Sequence, residues 1–391
     1  MNHHLLLLAF CQGMFLTNNA TFIAINALVG LAMAPVGWMA TLPVTGYVVG
    51  GALSAPLVAR TQRRYGRRVA FQLGLVMAAL ACAVCALAVY VNSFWLLVSG
   101  TVLAGYYNAN ASLYRFAGPE LVEPSYKEKA ISLVLAGGVI GAFLGPNLAN
   151  LTREWMPVKF MGSYLALIGV AAVALVAISF IRFPAHVMPA SGAAAGRSFW
   201  ELARQPKFVV ALVAASLGYG VMNLLMSVTP IAMQQCQLPF SAAALVLEIH
   251  VLGMFVPSFF TGRLIQRFGT LRIMSAGAAL NFACVAVALS GVELTQFVVA
   301  LLLLGVGWNF LYTAGSALLT ETYRPEEKNR AQGYMDTCVF ATMAVTSFSA
   351  GALVTTQGWA WLNWGSLLPM AITAAALVWL AVQQRKASAA G

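Results

Sequence analysis

The chain has 391 residues, 61% of them hydrophobic and only 8% Asp, Glu, Lys or Arg, against about 25% charged in an ordinary soluble domain. So few charges cannot cover a water-soluble fold, and a mean hydropathy of +0.82 points to apolar runs of about 20 residues, the length a helix needs to span a hydrocarbon core. The formal charge of +11 would suggest nucleic acid in a soluble protein, but its distribution along the chain gives it another meaning.

Residues 1–10 lack the basic segment and small-residue cleavage site of a secretory signal and read as the start of a first span. Apolar runs broken by charge, Pro or Gly then predict twelve helices at 5–31, 36–59, 69–90, 93–115, 129–151, 160–182, 206–233, 241–264, 272–290, 294–319, 330–354 and 360–382. The Ala/Gly/Ser/Pro-rich stretch 183–199 reads as a flexible linker. The expected organisation is therefore a six-helix bundle over 1–182, a cytoplasmic linker over 183–205 and a second six-helix bundle over 206–391. The six cysteines lie in or beside apolar runs. Cys82 and Cys85 form a CxxC with no His or further Cys nearby, so packing is expected rather than a metal or redox site.

If both termini are cytoplasmic, every Lys and Arg except Arg153 and Lys159 lies on that side. The insertion machinery and membrane potential impose such a bias. The basic charge is thus a topology signal, and no nucleic-acid partner is expected.

The chain repeats itself. The loop after span 2 carries Arg64-Tyr65-Gly66 followed by Arg67 and Arg68, and the loop after span 8 carries Arg267-Phe268-Gly269 followed by Arg272. After spans 4 and 10, Glu120, Pro124, Lys127, Lys129 and Ala130 correspond to Glu321, Pro325, Lys328, Arg330 and Ala331. The offsets of 203 and 201 residues are nearly constant, as expected for a transporter whose halves rock about a central site.

On these residues the sequence resembles the major facilitator superfamily over essentially its whole length. The resemblance implies an all-α polytopic fold, with two six-helix bundles related by a pseudo-two-fold axis. In that family the loop after span 2 reads G-x-x-x-D-R-x-G-R-R, and its basic residues bond an acid at the foot of span 4 to latch the cytoplasmic side. Arg64, Gly66, Arg67 and Arg68 match, with Glu120 as partner, and the second copy offers Gly262, Arg267 and Gly269 with Glu321. The motif's Asp is replaced by Arg63 and Gln266, so one arm of the latch is missing. Span 5 carries Gly141, Gly145 and Pro146, similar to the G-x-x-x-G-P of the family's proton-coupled exporters, while Asn147 to Asn150 replace the trailing glycines. Close helix packing through small residues explains the same pattern.

Polar side chains inside the bilayer face a partner or an aqueous cavity. Glu248 and His250 in span 8 are the deepest titratable candidates for proton coupling. Two residues apart, they point about 200° from each other, so at most one faces a central cavity. Asp336 in span 11 is a third coupling candidate, within reach of the loop arginines. The resemblance implies that spans 1, 4, 7 and 10 line the cavity. Their amides and aromatics are Asn18, Asn19, Tyr106, Tyr107, Asn108, Asn223, Trp308, Asn309 and Tyr312, and about half are expected to touch substrate rather than bond helix to helix.

With no Lys or Arg at the midplane, a neutral, zwitterionic or cationic substrate with flat apolar area is expected, and a phosphate ester is not. No GxxxxGK[ST], HExxH, GxSxG or paired intramembrane aspartate occurs, so the chain reads as a non-enzyme without cofactor or metal. The expected function is secondary, proton-coupled transport by alternating access in the plasma (bacterial inner) membrane, as a monomer. Efflux is slightly favoured over uptake of a vitamin-like or aromatic metabolite. A transporter-like receptor is the remaining alternative, although the residues after Val382 are too few for an output domain.

Overall fold

The computed structural model describes residues 3–123, 127–184, 197–324 and 327–389. The middle of the expected linker, 185–196, lies outside the described residues. The described secondary structure is helical. Span 1 is His3–Met33, and spans 2 and 3 are the two legs of Leu42–Tyr90, which turn at Gly66. Span 4 is Phe94–Ala111, span 5 Lys127–Ala136 and Gly138–Thr152, and span 6 Met161–Ser179. Span 7 is Pro206–Met226 with Thr229–Gln235, span 8 Phe240–Phe255 with Ser258–Phe268, and spans 9 to 12 are Thr270–Ser290, Leu294–Thr320, Lys328–Thr356 and Gly358–Ala389.

Among the described residues nine helices are long and apolar enough to cross a membrane, or ten with the span 8 pair, which bends by 41°. Gly37–Tyr90 counts once although it contains two legs. Phe94–Ala111 is long enough but ends in Tyr106, Tyr107, Asn108 and Asn110, which lower its hydropathy.

The repeat seen in the sequence reappears in the backbone. Gly66 has φ 77° and ψ 173°, and Gly269 has φ 87° and ψ 155°. Both lie in a region where a Cβ is strained, so each Arg-aromatic-Gly copy ends one helix and starts the next in the same way.

Broken spans need substitute partners for their freed carbonyls, because lipid offers none. Upstream of Pro230 in span 7, the Thr229 hydroxyl donates to the Leu225 carbonyl at 2.8 Å, and the Ser227 hydroxyl adds a second bond to the Asn223 carbonyl beside its own amide. At the span 8 bend, Asn309 Nδ2 donates to the Met254 carbonyl at 2.7 Å.

The first six and last six spans meet unevenly. On the face opposite the basic loops, one apolar core runs across both sets, joining Phe22, Ile25 and Tyr164 to Val221, Leu225 and Val246. Thr41 Oγ1 donates there to the Ser347 carbonyl at 2.7 Å, and the Phe160 and Phe240 rings lie 5.5 Å apart. On the basic face the cores stay separate. Leu8, Phe71, Tyr114 and Ile178 pack within the first set, and Phe208, Met274, Leu318 and Leu380 within the second.

Within the first set, spans 2 and 4 touch backbone to backbone. A Cβ on Gly105 would lie 2.3 Å from the Gly50 carbonyl carbon, and one on Gly50 would lie 2.1 Å from the Val102 carbonyl oxygen. Overpacking of this kind costs about 1 to 3 kcal/mol. Gly105→Val is therefore expected to lower the thermal unfolding midpoint of the purified protein, and Gly169→Ala, with nothing within 4 Å of the added carbon, to leave it in place. Equal midpoints in the two variants would contradict this packing.

The chain entering span 7 is clasped to the loop between spans 10 and 11. Arg197 donates to Glu327 from Nε at 2.9 Å and Nη2 at 2.6 Å, and the Arg197 and Arg324 amides add bonds of 2.9 and 3.0 Å. The Arg197 guanidinium first, then the Arg324 and Arg197 amides, hold the Glu327 carboxyl well below its ordinary range. A depressed carboxyl stabilises the fold above the ordinary glutamate pKa of 4.5 and loses that effect only as pH falls through its lower folded value. The Arg197 and Arg324 amides should thus resist hydrogen exchange, after correction for intrinsic rates, from about pH 8 down to about pH 5.5. Glu327→Gln should weaken that protection throughout, and protection that fades in the wild type over this window would contradict the clasp.

Candidate solute site at the seam

Trp308 and Tyr312 are one turn apart on span 10 and share a face. Their rings stack at 5.2 Å with 10° between planes. Tyr219 of span 7 stands edge-on to both, 5.3 Å from Trp308 and 5.5 Å from Tyr312, and Phe255 of span 8 closes the side of Trp308 at 6.1 Å. From the first six spans, Tyr47 comes within electrostatic reach of Tyr219, and its hydroxyl takes a bond from Asn19 Nδ2 at 3.3 Å.

Arg115 completes the group. The sequence places it among the loop cations, but the structure turns it toward the seam. Span 4 breaks at Ser112 and Leu113, and the short turn Tyr114–Ala117 carries Arg115 inward. Its guanidinium lies over the Phe116 ring and sits within electrostatic reach of Tyr312, Asp336 and Tyr219. Asp336, on span 11, lies within electrostatic reach of this cation.

Asn19, Trp308, Tyr312 and Asp336 are thus brought together, and Tyr47, Tyr219 and Arg115 join them from positions that sequence reasoning did not select. The remaining candidates contact neighbouring helices of their own set. Asn18 Nδ2 reaches Cys82 Sγ at 4.0 Å, Tyr106 donates to Thr61 at 3.4 Å, and Tyr107 meets Phe15 edge-on at 5.5 Å. Asn108 lies against Gly51 of span 2. Asn223 donates to Ser347 Oγ at 2.7 Å and Thr346 Oγ1 at 3.0 Å, tying span 7 to span 11. Besides the Met254 carbonyl, Asn309 holds Ser258 and Thr261, each at 2.7 Å, so it braces the span 8 bend.

Of the two titratable residues in span 8, His250 is fully buried with Nδ1 2.7 Å from the Leu301 carbonyl. Glu248 points to the other side, where Asn147 of span 5 donates to its Oε2 at 2.7 Å across the seam. Gly141 and Gly145 press on span 1, with added Cβ atoms falling 2.4 Å from Leu16 Cβ and 2.6 Å from Ala20 Cβ. Thr21 donates to the Gly145 carbonyl at 2.9 Å. Pro146 is buried in the same helix.

On the basic face the two copies of the loop motif are wired differently. Arg67 grips Glu120 with Nη2 at 2.7 Å and Nε at 3.3 Å, while Arg68 donates to the Ser179 carbonyl and Arg64 lies over the Tyr65 ring. In the second copy Glu321 takes Lys207 at 2.6 Å, and Arg267 lies over Phe268. Lys207 stands at the foot of span 7, so the second acid finds a cation without the loop.

The model of the Major Facilitator Superfamily matches residues 5–256 and again 211–390. The riboflavin transporter RfnT of Brucella anthropi is 35% identical over 363 residues, covering 92% of this chain and 91% of that protein. YddS of Bacillus subtilis, an uncharacterized MFS-type transporter, is 28% identical over 348 residues, 85% of this chain and 79% of that protein. Among solved structures, a mutant of the nucleoside transporter NupG superposes with a TM-score of 0.76 at 10% identity, covering 96% of this chain and 99% of that one. The POT family transporter PepTSo does so at 0.74 and 11%, covering 99% and 98%. At such identities the structures speak for the fold alone. With the family model matched across the chain and a relative aligned over nine-tenths of it, this protein is an integral membrane transporter of a small solute and belongs to the Major Facilitator Superfamily.

Proposed function

We propose that the protein is a proton-coupled secondary transporter that takes up a flat heteroaromatic solute of the riboflavin class, working as a monomer in the bacterial inner membrane. The observation that carries this reading is the Trp308–Tyr312 stack with Tyr219 edge-on, set at the seam in a chain 35% identical to a riboflavin transporter. Parallel and edge-on rings offer a surface on which a planar ring system gains about 0.5 to 1.5 kcal/mol per contact beyond burial. The basic face and both termini are cytoplasmic.

Residues 1–182 and 206–391 move as two bodies about the seam, with 183–205 linking them. A core fused on the outer face and divided on the cytoplasmic face is the arrangement expected of a site reached from inside. The span 5 glycines, which favoured efflux in the sequence, are accounted for by their contact with span 1. Transport rather than catalysis is the proposed activity, since the relatives named above are transporters.

For coupling, Glu248 and Asp336 have the better placement. Each faces a partner in the other half, Asn147 and Arg115, so separation of the halves changes its surroundings and its affinity for a proton. His250 serves as a brace through its bond to span 10. The cytoplasmic gate is Arg67 with Glu120, and Lys207 with Glu321.

In proteoliposomes an inward proton gradient should drive accumulation of labelled riboflavin that a protonophore abolishes. Glu248→Gln should retain riboflavin counterflow but lose gradient-driven accumulation, by about tenfold or more. No flux above empty vesicles would overturn the transport reading, and full accumulation in the variant would overturn the coupling role. Comparison of right-side-out with inverted vesicles assigns the direction, and flux that accumulates only on the opposite side would reverse uptake to export.

A further inference from the structure

Two hydrogen-bond donors border the stacked rings without a partner among the described residues. Trp308 is 6% exposed, and its Nε1 is enclosed and unbonded. The Nε of Arg115 is likewise enclosed and unbonded, in a guanidinium that lies within electrostatic reach of Tyr312. A buried donor left unpaired costs about 1 to 3 kcal/mol, so a pair of them beside one aromatic surface is the imprint of an acceptor that arrives with a ligand. One donor belongs to the first six spans and the other to the last six.

Charge narrows the acceptor. Asp336 lies within electrostatic reach of Arg115, so with that carboxylate ionised the cation is balanced before a ligand enters. A carboxylate or phosphate would leave the site with net negative charge in a low-dielectric seam, which is costly. A neutral carbonyl oxygen accepts from a charged or indole N–H without that cost.

We propose that Trp308 and Arg115 select the solute by donating to ring carbonyl oxygens, so that the site takes neutral planar heteroaromatics bearing amide or imide groups and discriminates against rings of the same outline that lack them. This rests on the reading of the seam as the solute site. It adds that recognition is split between the halves, so a ligand bound to both donors draws them together.

Discrimination by a missing acceptor is large because the donors are then stranded. Equilibrium binding to the full chain in nanodiscs would be measured with lumichrome, a fused three-ring imide, and with phenazine, a three-ring system of similar outline without carbonyls. Lumichrome is expected to bind at least about tenfold more tightly than phenazine. Trp308→Phe, which keeps a ring and removes the N–H, and Arg115→Gln should each erase that preference by weakening lumichrome while leaving phenazine within about twofold. A wild type without preference, including one that binds neither probe, would overturn the proposal, as would variants that keep the preference. If Arg115→Gln fails to fold, Trp308→Phe decides alone. Loss of riboflavin flux with the lumichrome preference intact would count only against the transport reading, and intact flux without the preference only against this one.

Discussion

Inside a bilayer a polar group that leaves its partner has no water to turn to, and nearly every informative contact in this molecule follows from that constraint. Helices that break at Pro230 and Pro257 are repaired by Ser227, Thr229 and Asn309, each of which supplies a bond to a carbonyl near the break. Asn223 and Asn309, polar residues in otherwise apolar spans, are held by neighbours on other helices. Trp308 Nε1 and Arg115 Nε, enclosed and unbonded beside the stacked rings, stand out against that pattern.

The same constraint explains why the two sets of six spans are not equivalent at their contact. Apolar packing fuses them on one face, while on the other the contacts across the seam are polar, Arg115 with Tyr312 and Asp336. Apolar cores resist separation, whereas hydrogen-bonded and charged groups can exchange one another for water or solute at modest net cost. A seam held by a shared apolar core at one end and by none at the other is suited to opening at one end while it stays shut at the other. The ion pairs on the basic face stay within each set, with Glu120 held by the Arg67 of its own loop motif and Glu321 by Lys207 at the foot of span 7.

Features that depend on local sequence were readable without coordinates. The Arg-aromatic-Gly copies predicted matching helix breaks, and Gly66 and Gly269 share nearly the same dihedrals. Trp308 and Tyr312, one turn apart beside Gly307, were selected together and stack together. Features that depend on a distant partner were not readable. Arg115 looked like a loop cation because no pattern in residues 93–115 reveals that the helix ends early and turns it inward. Tyr47 and Tyr219 are single aromatics in apolar runs, indistinguishable from packing residues until their helices are placed side by side. Asn309 was recognised as unusual polarity, yet its partners lie about 50 residues back along the chain at a bend it helps to hold.

If the halves hinge about the seam, solute binding changes which end is open. Spin labels at the exposed positions Tyr65 and Phe268 report on the basic face, and labels at Trp155 and Gln237 on the opposite face. With riboflavin added, the distance across the basic face should shorten while that across the opposite face stays or lengthens. Distances that do not respond, or that shorten together at both faces, would contradict a hinged seam.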